Sequence, residues 1–198
     1  FLLRRRRVNP ALATLKDVLA TQVIGIAVPS ISAGLGTLIL AFNGLISGPR
    51  ISVVFMVWWG FELLSFILFA PLAMVWLSPM RDTPRELFRR WDWLIVLLVI
   101  LVTRWIFYQS MDSTPNYGSL TYLVFPFLFW IALRLYQPGV TLANVGICLM
   151  AMFITYENPP APLVVREQSL LLLELFFIVL TLTSLIISAL FSERAAAD

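Results

Sequence analysis

Three charged side chains stand inside long apolar runs, and they are the residues best placed to do chemistry: Glu62, Arg134 and Glu174. On insertion scales a charge at the centre of a membrane-spanning helix costs about 2.5–3.5 kcal/mol, so each must be paired, neutralised or turned toward water. Glu62 follows Trp58-Trp59-Gly60 and is expected to face the interior of a helix bundle, protonated or paired. Two roles are open to it: a proton-sensitive or ligand-contacting carboxyl, or a neutral carboxyl hydrogen-bonded between helices. Glu174 could pair with Arg166, Arg104 or a ligand, or simply reach the membrane interface. Arg104 and Arg134 lie near the ends of apolar runs, where a long stem lets the guanidinium snorkel to water. Asn43 and Asn144 are candidates for hydrogen bonds between helices.

The residue types that are missing exclude whole classes of reaction. The 198 residues include no histidine and one cysteine. A histidine relay, phosphotransfer through imidazole and a protein-ligated metal site all lose their usual groups. Cys148 has no partner for an internal disulfide and reads as a small buried thiol. There is no glycine-rich phosphate loop and no nucleophile with a relay. The chain is therefore expected not to be an enzyme, and no cofactor is expected, although lipid or pigment could bind. Net charge is +3, which suits anionic headgroups better than nucleic acid, because no basic surface with interleaved aromatics lies outside the apolar runs.

Those runs set the architecture. Apolar residues make up 60% of the chain, and about 20 in succession cross the ~30 Å hydrocarbon core of a bilayer. Six spans are expected, at about 17–46, 51–77, 93–108, 120–136, 140–156 and 169–191, forming one all-α integral membrane domain over residues 1–198. Small residues crowd the first span. Ser32 and Gly36 repeat four apart and allow close helix approach, and Pro29 is expected to kink that helix. Pro71 and Pro126 are expected to kink the second and fourth spans. Thr83-Pro84-Arg85-Glu86 reads as the start of a short amphipathic surface helix. Gln137-Pro138-Gly139 reads as a tight turn.

Orientation follows from basic residues. With alternating spans, one side collects Arg4 to Arg7, Lys16, Arg81, Arg85, Arg89, Arg90, Arg134 and Arg194, eleven of the 14 Lys and Arg; Arg50, Arg104 and Arg166 fall on the other. The richer side is cytoplasmic, so both ends of the chain are expected there.

Three stretches carry a specific resemblance. Tyr122-Leu123-Val124-Phe125-Pro126, then Trp130-Ile131-Ala132-Leu133-Arg134 and Gly139, resembles the run YLxFPxLxWxALRxGxxG of the bacterial membrane-associated sensor domains of the first type, the MASE family. Trp58-Trp59-Gly60-Phe61-Glu62 with Ala70-Pro71-Leu72 is similar to that family's WWLGDxxGxLxxAP run, with the acid displaced by one position and Ser65 near an expected glycine. Glu174-Leu175-Phe176 and Ser192-Glu193-Arg194 are similar to its closing helix and exit. The resemblance implies a multi-pass input module in a bacterial inner membrane, with two spans before residue 1 and a histidine kinase or cyclic-di-GMP enzyme, as in two-component systems, after the last helix. Expected partners are lipids and a cytoplasmic signalling domain or further membrane subunits, in an oligomer. The alternative is an accessory structural subunit of a larger membrane complex. Glu62, Arg134 and Glu174 are the expected sensing residues; Pro29, Ser32, Gly36, Pro71 and Pro126 are the expected packing or hinge positions.

Overall fold

A computed structural model describes residues 9–77, 93–111, 122–157 and 163–197, and these are helical throughout apart from short connections. Five helices follow in order: α1 (Leu15–Phe42), α2 (Arg50–Leu77), α3 (Trp93–Met111), α4 (Val124–Glu157) and α5 (Leu163–Ala197). The Arg4 to Arg7 cluster, the 78–92 connection with its expected surface helix and four arginines, and most of the polar loop before α4 lie outside the described residues, as does the proline-rich connection before α5.

Five helices stand where six spans are expected. The fourth and fifth expected spans run together in α4, interrupted only at Tyr136, whose φ of 48° and ψ of −146° are non-helical. In a straight helix, residues eight apart stand ~12 Å from one another. Here a Cβ on Gly139 would lie 3.1 Å from Ile131 Cγ2 and also press on Leu135. The chain therefore doubles back at Tyr136, and Gly139 is where the returning limb meets the first. Pro138 follows the break, within the first turn of that limb, where its missing N–H costs no helical bond. Pro126 is likewise the third residue of α4, so it opens the helix rather than kinking it. Pro29 and Pro71 lie inside α1 and α2, which continue past them.

Among the described residues, four helical stretches are long and apolar enough to cross a membrane: Leu15–Phe42, Arg50–Leu77, Val124–Ile154 and Leu171–Ala195. The apolar stretch Trp93–Ile106 in α3 is shorter. The most enclosed helix is α4, packed by α3 and α5 and touched by α2. Ile131, Leu135, Val140, Ala143, Ile147 and Ala151 are essentially inaccessible along it. By contrast α1 is apolar on all sides yet buries only one stripe, with Leu35 59% and Phe42 88% exposed. Such an outward face is stable only where hydrocarbon replaces water.

Contacts between named positions set helix direction. A Cβ on Gly25 would meet Phe66, one on Gly36 would meet Trp58, and Ser32 bonds Glu62, so α1 and α2 are antiparallel neighbours. Gly60 of α2 meets Glu174 of α5, and the backbone N–H of Leu15 donates to Glu193 Oε1 at 2.8 Å. Thus α5 runs alongside α2 and finishes at the beginning of α1.

That junction is closely made. Thr14 caps α1 by accepting from the Asp17 N–H at 3.2 Å, while its hydroxyl donates to Asp17 Oδ2 at 2.6 Å. The spacing is that of a capping box with aspartate in the acidic position. Asp17 Oδ1 also accepts from the Asn9 N–H at 3.0 Å, folding the preceding segment back. Ser192 donates to the Ala13 carbonyl, and Glu193 satisfies one of the N–H groups that every helix start leaves unpaired. Leu12 is fully buried within this fold at φ 51°.

Candidate functional site

The turn Trp58-Trp59-Gly60-Phe61-Glu62 connects three helices. On one side, Glu62 Oε1 accepts from Ser32 Oγ at 2.9 Å and from Trp58 Nε1 at 2.8 Å. Trp59 Nε1 donates to Ser30 Oγ at 3.0 Å, and Ser30 donates to the Ile26 carbonyl. The indole of Trp58 lies on Gly36. Sequence spacing makes these contacts possible: Ser32 and Gly36 share a face of α1, and Trp58 and Glu62 share one of α2. Glu62 and the small-residue stripe, which spacing alone leaves unconnected, thus form one contact.

On the other side the glycine matters. A Cβ on Gly60 would run into Glu174 Oε2, with Glu174 Cδ only 3.2 Å away. The Glu174 carboxyl is seated against the backbone of α2 where a side chain is missing. It is 4% exposed, and its Oε1 has no hydrogen-bond partner among the described residues. Neither Arg104 nor any other described cation pairs with it; Arg166 is helical but its side chain is outside the described set. Arg134 is exposed on α4 and is not brought to either carboxyl. The three expected sensing residues therefore divide into two that flank one turn of α2 and one that stands apart.

A second polar feature lies between the returning limb of α4 and α5. Asn144 Nδ2 donates to Ser184 Oγ at 2.8 Å, and Gln137 Nε2 donates to the Leu185 carbonyl at 3.1 Å. Thr141 donates to the Gln137 carbonyl at 2.8 Å. Thr181, Ser184 and Ser188 line α5 at helical spacing and are all buried. Asn144 thus makes an interhelical bond. Asn43 does not: it donates to the Ile39 carbonyl at 2.8 Å and closes the end of α1 locally. Sequence reasoning placed Gln137 only in a turn and passed over Thr141, Thr181, Ser184 and Ser188, although the repeats of three, four and seven within apolar runs are the signal that finds such a seam. Asn144→Ala is expected to cost about 0.6–2 kcal/mol, because it removes that bond within the membrane. Unfolding in mixed micelles measures it, and Asn144→Ser should recover part of the loss.

Among the described residues, no grouping of Cys, Asp or Glu could hold a metal ion. Cys148 is buried and unbridged.

An all-helical bundle whose outward faces are apolar and whose interior holds carboxyl and amide groups defines an integral membrane protein. A family model, MASE1, matches residues 2–195, and the chain belongs to this family of membrane-associated sensor domains. No characterised protein and no solved structure matches it.

Proposed function

We propose that this chain is the membrane-embedded input module of a bacterial inner-membrane signalling protein. A signal acts at the layer formed by α1, α2 and α5, and α5 passes the shift to a cytoplasmic output domain or partner. No catalytic step and no cofactor are assigned to the chain itself. The observation that carries this reading is the double attachment of α5. Glu174 seats it against Gly60, within the turn that holds α1, and near its C-terminal end it grips the start of α1 through Ser192 and Glu193. A change at the Trp58–Glu62 turn therefore reaches α5 through a direct contact. Such coupling requires that the signal bind two arrangements unequally, with typical coupling energies of about 1–3 kcal/mol.

In the same reading both ends of the chain face the cytoplasm, supported by the eleven-to-three division of basic residues. The two limbs of α4 then serve as separate inward and outward passes, and the bundle crosses six times. A cysteine at Thr83, in a Cys148→Ala background, tests this orientation. It should resist an impermeant thiol reagent in intact spheroplasts and react after permeabilisation; labelling from outside would overturn the topology.

The coupling itself is tested in the whole protein with spin labels placed at Lys16 and Arg194. Gly60→Ala, which forces Glu174 away from α2, should broaden or shift the distance distribution between them. An unchanged distribution with a folded protein would remove α5 from the signalling route.

A further inference from the structure

Glu62 has an environment that the packing does not account for. It is the thirteenth of 28 residues in α2, so it stands ~18–22 Å from either end of that helix, at mid-membrane depth. Yet it is not enclosed: its exposure is intermediate, and both of its hydrogen bonds lie on the outer surface of the α1–α2 seam. Both bonds fall on one oxygen, Oε1. The described cations Lys16, Arg50, Arg104, Arg134 and Arg194 are all exposed, and none pairs with it. A carboxyl near the middle of a spanning helix, part-exposed at the surface of the described helices and with no described cation beside it, is the arrangement that polar groups in membranes ordinarily avoid.

Its surroundings suit a particular kind of partner. The Trp58 indole is pinned edge-on to Glu62 by its N–H and backed by Gly36, leaving 38% of the residue exposed. Phe61, next to Glu62, is also 38% exposed. An acidic oxygen beside a part-exposed indole is the pairing that attracts organic cations, through charge and through the ring quadrupole. A small hydrated ion would have to shed its water to reach this depth. A cation whose charge is dispersed among apolar groups would not, and it could arrive through the lipid.

We propose that Glu62 and Trp58, at the exposed seam of α1 and α2, form a binding site for lipophilic organic cations. This deepens the sensory reading by naming the ligand class, and it rests on that reading only for its biological use. Binding is measured directly, with no output involved, so a failure here leaves the coupling experiment standing, and the converse also holds.

The test uses the intact protein in phosphatidylcholine nanodiscs, with radiolabelled tetraphenylphosphonium as the probe and empty nanodiscs as the background. Tetraphenylborate, of similar shape and opposite charge, is the competitor that exposes simple partitioning. Saturable binding above background is expected, weakened at least tenfold by Glu62→Gln and severalfold by Trp58→Phe, with no competition from the borate. Glu62→Gln keeps a carbonyl acceptor for Ser32 and Trp58, so its fold should survive; helicity by circular dichroism checks this. Glu62→Asp should retain measurable binding. Binding no greater than in empty nanodiscs, equal binding by a folded Glu62→Gln protein, or equal competition by tetraphenylborate would each overturn the proposal.

Discussion

Leu12→Ala is expected to destabilise the bundle by about 2–5 kcal/mol, the usual range for emptying a fully buried leucine site. The residue lies before α1 and outside the first expected span. Its side chain is nonetheless inaccessible and belongs to the main core. The backbone makes a sharper test possible. Leu12 has φ 51°, a region that glycine enters freely and other residues enter at a cost. Leu12→Gly removes at least as much apolar surface as Leu12→Ala but relieves the backbone, so it should be the more stable of the two variants. Stability in mixed micelles gives the order, and the reverse order would count against the observed backbone at this position. Glu193→Ala should cost about 1 kcal/mol through loss of the bond to the Leu15 N–H, in the range of other helix caps. Hydrogen exchange at Leu15 should accelerate in that variant while exchange in the middle of α4 stays slow.

Gly60→Ala is expected to cost about 1–3 kcal/mol, the price of forcing one carbon into a filled contact. The added Cβ would overlap Glu174 Oε2, and the carboxyl cannot retreat far, because it is 4% exposed. The energetic signature is coupling. Glu174→Ala removes the obstruction, so the double variant should be more stable than the sum of the single effects requires. Residues in direct contact show interaction energies of about 0.5–3 kcal/mol in such cycles. Additivity to within about 0.3 kcal/mol would mean that α2 and α5 do not meet here, and the proposed route through α5 would fail with it.

Family and membrane class were legible because they depend on residue type and order. Long apolar runs can only be solvated by lipid, and the Tyr122–Gly139 and Trp58–Leu72 patterns are linear features. Helix starts and stops were legible to within a few residues where local chemistry decides them. Asn43 and Gly44, the latter at φ 70°, end α1 short of residue 46. The Thr14–Asp17 pairing begins it before residue 17. The break at Tyr136 was visible as Gln137-Pro138-Gly139, but not that helix would resume at once on the far side of it.

What lay beyond the sequence was the partner of each polar group. In a helix apolar on every side, no amphipathic stripe says which face meets which neighbour, so Glu62, Ser32, Gly60 and Glu174 could be named but not paired. The pairings depend on the relative depth and rotation of whole helices. Composition and order determined a lipid-solvated helical sensor domain, since the bilayer imposes helix and length on any sufficiently apolar chain. Only the packing of α1, α2 and α5 decided that one carboxyl is seated against a glycine, another lies at the exposed seam of α1 and α2, and the closing part of α5 holds the start of α1.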